Sequence, residues 1–338
     1  MLERTLAQGR VRHAYLLVGP SHIGKTAVAR WFAQCLCCSG APAPCGRCRS
    51  CLLIARGVHP DVRSIQPPGE RDDTVALALD PVESGGRSAE RAISIGHVRA
   101  LQHDVALSAS EAPWKVYLIL GAETMQIAAA NALLKTLEEP PPHVVLLMTA
   151  GDPGEILPTL VSRCQVVRLG LVPARQIGAA VAERGADPSR AELLARLAGG
   201  RPGWALRALD DADLLAERER ALEELALTVT PGHRQRFSLA EKLATTYGRD
   251  HAAVLERLAV WQVWWWDVQL IQRHCADLIA NVDRVDELQR FAAAVPAGDV
   301  TGYLCDLSTA IGYLLQNVSP RLALENLLLA APTVSSGH

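Results

Sequence analysis

The chain is short of the features that would declare its chemistry at once. Its 338 residues carry a net charge of only −2, so no excess of basic residues marks a stand-alone nucleic-acid binder. No apolar run is long enough to span a bilayer, and no secretory leader is recognised at the N-terminus. The expectation is a cytoplasmic protein with no membrane partner. Disulfides are rare there, so the nine cysteines read as metal ligands or buried thiols. Hydrophobic residues make up 49% and charged residues 21%, an ordinary globular balance. The length exceeds a single core and predicts two or three domains.

A further absence concerns catalysis. The run Gly19-Pro-Ser-His-Ile-Gly24-Lys25-Thr26 matches the phosphate-cradling pattern G-x-x-x-x-G-K-[ST]. It lies between a strand-like run, Ala14–Val18, and an apolar helical pattern, Ala27–Phe32. In that setting glycines turn backbone N–H groups toward phosphate oxygens, Lys25 reaches the β- and γ-phosphates, and Thr26 ligates Mg²⁺. The helix N-terminus adds its dipole. The alternative is a loop that keeps its shape and holds nothing. Hydrolysis needs, in addition, carboxylates at the end of a second strand. That strand is Lys115–Ile119, and it runs into Leu120 and Gly121 where an Asp-Glu pair belongs. Glu123 is three residues out of register, and a misplacement of about 1 Å already costs rate heavily. The site reads as at best competent to bind ATP or ADP with Mg²⁺, and not to hydrolyse it.

Six of the nine cysteines lie between Cys35 and Cys51. Cys45-Gly-Arg-Cys48-Arg-Ser-Cys51 ends at a helix-like stretch, Leu52–Arg56. Three thiolates at this spacing cover one side of a tetrahedral Zn²⁺. Cys38 is the first choice for the fourth ligand, because it closes the loop where the helix after the phosphate loop should end. Cys37 is the alternative, and Cys35 falls within the helix. Four cysteines also suit an iron–sulfur cluster, but nothing else in the chain signals redox chemistry. A closed zinc site of this kind is structural. Cys275 and Cys305 lie in apolar helical patterns and are expected in the core.

Other segments have local readings. Residues 66–92 are polar and rich in Gly and Pro, and read as a long surface loop. Asn131–Leu137 predicts a helix burying Ala132, Leu133 and Leu137, ended by Glu138-Glu139-Pro140. Four of seven tryptophans crowd into 261–266. Leu258, Trp261, Trp265 and Val268 share one helical face and read as packing, whereas Trp264 and Trp266 point elsewhere, toward a partner helix. Stacking of single-stranded bases is the alternative, but few Arg or Lys accompany the cluster. His22 and His59 read as local packing or capping.

The segment Asn131-Ala-Leu-Leu-Lys135-Thr-Leu-Glu138-Glu139-Pro140-Pro141 is followed by Ser162-Arg163-Cys164. Together with the phosphate loop, the four-cysteine run and its exit Gly57-Val-His59-Pro-Asp61, it resembles the AAA+ subunits of the bacterial sliding-clamp loader over roughly residues 1–210. The resemblance implies an α/β AAA+ P-loop domain over 1–166 with a zinc module at 35–60. A small helical lid would follow over 167–210, then an all-α collar that oligomerises over 211–333, and a tail at 334–338.

Motor subunits of that family keep an acidic pair after the second strand, threonines at the end of the sensor-1 strand and an arginine in the lid. Here those places read Leu120-Gly121, Ala150-Gly151 and Gly203, with Arg201 close but out of register. Ser162-Arg163-Cys164 is retained. The combination fits the delta-prime type, a stator-like subunit that assembles with gamma/tau and delta. In it Arg163 would act in trans on a neighbour's ATP while the clamp is loaded onto primed DNA in replication. The chain would then be an accessory subunit of the DNA polymerase III holoenzyme rather than an ATPase itself, touching the sliding clamp weakly and primer-template DNA within the complex. An intact P-loop departs from delta-prime subunits whose loop has decayed, and nucleotide held there would stabilise the fold by mass action. The alternative is a gamma/tau-type ATPase motor that uses Glu123 or Asp104. A third reading is a zinc-bearing AAA+ protein outside replication.

Overall fold

The computed structural model describes residues 1–67, 77–79, 92–229, 232–316 and 318–333. Most of the expected loop at 66–92 and the tail at 334–338 lie outside them. The chain forms two units, Met1–Leu171 and Val172–His338.

The first unit alternates strands with helices. In chain order it contains α1 (Leu2–Ala7), β1 (Ala14–Val18), α2 (Lys25–Cys37), α3 (Arg49–Ala55), β2 (Val62–Ile65), β3 (Leu77–Ala78), α4 (Ile95–Val105), β4 (Lys115–Ile119), α5 (Ile127–Glu138), β5 (Val144–Ala150), α6 (Pro158–Val161) and β6 (Gln165–Arg168). The strands pair in the order β3-β2-β4-β5-β1-β6, and each described pairing is parallel. Helices must cross over between parallel neighbours, so both sheet faces are covered and the central strands are apolar without interruption.

The two-residue period of a strand decides which core each side chain enters. Ala14, Leu16 and Val18 pack with Val98, Leu101, Leu133 and Leu137 from α4 and α5. Tyr15 and Leu17 point the other way, onto Phe32 and Leu36 of α2 and Ile54 of α3. Register fixes the site. Leu17 stands beside Thr149 and Val18 beside Ala150, while Ile119 stands beside Met148. The carboxyl ends of β1, β4 and β5 therefore share one edge.

A second hub lies away from that edge. Asp61 is buried, and its carboxylate accepts N–H bonds from Ser110 (2.6 Å), Glu111 (2.7 Å) and Ala112 (2.8 Å). It ties the exit of the cysteine module to the segment leading into β4.

The second unit is helical: α7 (Ala174–Glu183), α8 (Pro188–Leu197), α9 (Pro202–Asp210), α10 (Ala212–Val229), α11 (His233–Tyr247), α12 (His251–Gln272), α13 (Val285–Ala294), α14 (Ala297–Leu315) and α15 (Pro320–Leu329). A small core of Ile177, Val181, Leu194 and Ala205 joins α7 to α9. A larger one surrounds α12. Trp261, Trp264 and Trp265 are all fully buried there, which corrects the expectation that Trp264 faces a partner. It meets Phe291 edge-on at 5.5 Å, because α12 is packed against α10, α11, α13 and α14 and has more than one buried face. Trp266 is 55% exposed, as its helical position predicts. Cys305 is also exposed and Cys275 only half-buried. The inward side of α14 belongs instead to Tyr303, Leu304 and Leu307, and Cys275 falls in the turn after α12. Among the described residues no helix is long and apolar enough to cross a membrane.

Asp61 generates a prediction. Burial pushes its pKa up, but the three N–H donors, with His59 behind them, outweigh burial and hold it below the ordinary carboxylate value. Its contribution to stability is complete above about pH 4, the unfolded carboxylate value, and drains as pH falls toward the lower folded value. Asp61→Asn should cost about 2–4 kcal/mol at neutral pH. In denaturant titrations the gap from the parent chain should narrow below about pH 4.

Candidate nucleotide and metal sites

The phosphate loop is built by backbone geometry. Gly24 has φ 97° and caps α2, so Lys25 and Thr26 open the helix. Only glycine takes that conformation freely. Gly19 lies under the β6 end, where an added Cβ would meet the Leu169 carbonyl oxygen at 2.8 Å. Its N–H points to the carbonyls of Ala150 (3.3 Å) and Gly151 (3.2 Å), which pins the loop to the end of β5. Lys25 Nζ donates to the Gly19 (2.6 Å) and Pro20 (3.0 Å) carbonyls. An ammonium has three donors, so one remains for an anion. His22 takes φ 62° at the loop tip.

Around this loop the acidic groups divide. Gly121 has φ 67° and starts a short 3₁₀ turn, Ala122–Thr124. Its N–H donates to Thr149 Oγ1 at 3.1 Å, so the one threonine at the end of β5 is spent on the backbone. The turn brings Glu123 back toward the strand edge. Its carboxyl lies near the Gly151 N–H and the Lys25 charge, and its pKa is raised by the surrounding protein and by Glu155. Burial lowers the Lys25 pKa, against the pull of Glu123 and Glu155. Asp104 is elsewhere: its Oδ2 accepts from Tyr117 OH (2.7 Å) and Lys115 Nζ (3.3 Å). Lys115 is the first residue of β4, at the amino end of the strand, so Asp104 lies at the opposite end from the nucleotide edge and is already paired. In the helical unit Arg201 Nε donates to the Ala198 carbonyl (3.0 Å), and Gly203 lies in the first turn of α9.

The sulfurs of Cys38, Cys45, Cys48 and Cys51 lie within 4.8 Å of one another. A tetrahedral zinc with bonds of about 2.3 Å needs sulfurs about 3.8 Å apart, and Cys38 and Cys48 are 3.9 Å apart. Backbone donors surround the set. Gly40 and Cys45 N–H groups point to Cys38 Sγ at 3.3 Å, Cys48 N–H to Cys45 Sγ at 3.3 Å, and Cys51 N–H to Cys48 Sγ at 3.5 Å. The N–H of Cys51, followed by that of Ser39, holds the Cys48 thiol down at about 5, while burial pushes Cys51 up to about 12. A buried thiolate at Cys51 wants a cation beside it, which a metal supplies. The donor set fits zinc.

Cys37 and Cys38 separate at the end of α2. Cys37 is its last residue and is buried in the core, with its sulfur 3.7 Å from the Trp114 carbonyl. Cys38 turns to an extended backbone and into the cluster. Cys35 is buried on the helix. His59 stays out of the cluster: it is fully buried, and its Nδ1 accepts the Asp61 N–H at 3.1 Å, so it caps a turn.

Arg163 follows α6. Its side chain is 37% exposed, and Nη2 pairs with Glu138 Oε1 at 2.7 Å. Nη1 donates to the Thr159 carbonyl at 2.9 Å. The partnership with Glu138 was not foreseen from the sequence, since 25 positions separate the two and neither a period nor a motif links them. Cys164, its sulfur buried enough to push the thiol up to about 12, anchors the turn beneath it.

Residues 1–172 match the protein family described as DNA polymerase III, delta subunit. The DNA polymerase III subunit delta' of Pseudomonas aeruginosa is 44% identical over 154 residues, which is 45% of this chain and 41% of that one. That of Haemophilus influenzae is 32% identical over 226 residues, covering 66% and 62%. The subunit tau of Bacillus subtilis is 34% identical over 166 residues, covering 48% and 26%. The chain thus spans less than two thirds of the length of each of these relatives.

The metal site can be tested by content and exchange. The chain should carry one zinc, and Cys38→Ser or Cys51→Ser should lower metal content per chain several-fold while Cys37→Ser leaves it unchanged. Gly40→Ala should behave like the ligand variants, because its Cβ would meet Cys45 Sγ at 2.8 Å. Loss of zinc on Cys37→Ser would overturn the assignment.

Proposed function

The chain belongs to the delta-prime family of DNA polymerase III clamp-loader subunits, and from that premise we propose that it is the stator-like member of a clamp loader. In this reading it assembles with gamma/tau and delta, and Arg163 completes the ATP site of the adjacent motor. ATP held between the two subunits gains contacts in the closed ring that it lacks in the open one, so nucleotide state biases ring geometry. The loader then opens the sliding clamp and places it on primer-template DNA. Helices α7–α9 serve as the lid and α10–α15 as the collar.

The observation that carries the proposal is an asymmetry within the first unit. Its own nucleotide edge has Gly121 in a left-handed turn where a metal-binding carboxylate is needed, whereas Arg163 keeps an exposed guanidinium. The phosphate loop retains Gly19, Gly24, Lys25 and Thr26, with Lys25 Nζ already inside the cradle. Nucleotide binds there as a static ligand: the loop amides and Lys25 hold the phosphates, and Thr26 offers its hydroxyl to Mg²⁺, which would supply charge neutralisation. Zinc on Cys38, Cys45, Cys48 and Cys51 staples the module and takes no part in chemistry. A motor of gamma/tau type is the second reading, favoured by the likeness to subunit tau and by the charge of Glu123 acting on Lys25.

Clamp- and DNA-stimulated ATP turnover of a reconstituted loader separates the two. Arg163→Ala in this chain alone should remove most turnover at the site it serves, since an arginine finger is worth roughly 10³–10⁵ in rate. Lys25→Ala should change turnover little. If Lys25→Ala abolishes turnover and Arg163→Ala does not, this subunit is a motor.

A further inference from the structure

We propose that Glu138 is a positioning residue for Arg163: its carboxylate, with the Thr159 carbonyl, fixes the guanidinium so that its remaining N–H donors are offered to the phosphate of a neighbouring subunit. The inference rests on the trans role of Arg163 proposed above.

The backbone on both sides of the pair is fixed. Leu160 is buried in the turn of α6, and the N–H groups of Ser162, Arg163 and Cys164 bond back to the carbonyls of Pro158 (2.9 Å), Leu160 (3.1 Å) and Val161 (3.1 Å). Glu138 ends α5, directly after the buried Leu137 and two residues before Pro140, which stops the helix. Neither Cα can wander. The long arginine side chain can, and holding it in one rotamer carries an entropic cost that grows with its free torsions.

Two contacts do the holding. Glu138 Oε1 takes Nη2 at 2.7 Å, and the Thr159 carbonyl takes Nη1 at 2.9 Å. Nη1 also makes a weaker contact with Ser162 Oγ at 3.5 Å. A guanidinium has five N–H donors in a rigid fork, so the remaining donors stay free while the plane is set. The 37% exposure of the side chain is the open remainder.

Magnitude favours positioning over blocking. An exposed ion pair contributes little net attraction, too little to withhold an arginine from a triphosphate. What the pair changes is how many orientations the free guanidinium samples before the neighbour docks. Preordering one rotamer-rich side chain is worth about a threefold to tenfold change in rate, far below the worth of the arginine itself.

The test is a double-mutant cycle in the reconstituted loader, reading kcat and KM for ATP separately. Glu138→Ala should lower kcat about threefold to tenfold with KM and the thermal midpoint of the free subunit unchanged. Glu138→Asp should restore part of the loss and Glu138→Gln less. In the Arg163→Ala background, Glu138→Ala should have no further effect. Unchanged or raised turnover in Glu138→Ala, with Arg163→Ala still strongly impaired, would overturn the positioning role alone. A loss of the same size in both backgrounds would show that Glu138 acts independently of Arg163, and would also overturn it. If Arg163→Ala itself leaves turnover intact, the trans-finger reading fails and the positioning role falls with it.

Discussion

Parallel pairing is the constraint on which the rest depends. Because each described pairing runs the same way, the carboxyl ends of β1, β4 and β5 meet along one edge. The phosphate loop after β1, the turn after β4 and the end of β5 are thereby joined by direct bonds, Gly19 to Ala150 and Gly151, and Gly121 to Thr149. At this edge Lys25 and Gly24 shape a phosphate loop, and Gly121 stands at the end of β4. Gly121 is not merely a missing carboxylate: with φ 67° it has bent the backbone into a turn that a glutamate side chain would strain.

The cysteine module and Asp61 extend the same logic outward. The cysteine cluster closes the chain between α2 and α3, and Asp61 then clamps the exit onto the segment before β4 through three N–H bonds. Neither feature touches the nucleotide edge. Both fix the helices and strands that carry it.

Much of this was legible in the chain. Ala14–Val18 and Lys115–Ile119 are strands with the bounds the apolar runs suggest, because buried parallel strands are continuously hydrophobic. Cys38 was legible too, since a helix that ends at Cys37 must turn its next residue outward. What escaped depends on distance in sequence. No pattern links Arg163 to Glu138, or Asp61 to Ser110, and no period predicts that α12 is enclosed widely enough to bury Trp264. Cys305 misled because an apolar neighbourhood on α14 does not say which face a given position takes.

The central claim is that this chain grips nucleotide without cleaving it, and single-turnover chemistry on the isolated subunit tests it most directly. With Mg²⁺ present, excess ATP should raise the thermal midpoint of the parent chain and not of Lys25→Ala, and with the subunit in excess over ATP no phosphate should be released above background. Phosphate release by the parent chain that disappears in Lys25→Ala would contradict the account, and Glu123 would then be the carboxylate to replace first.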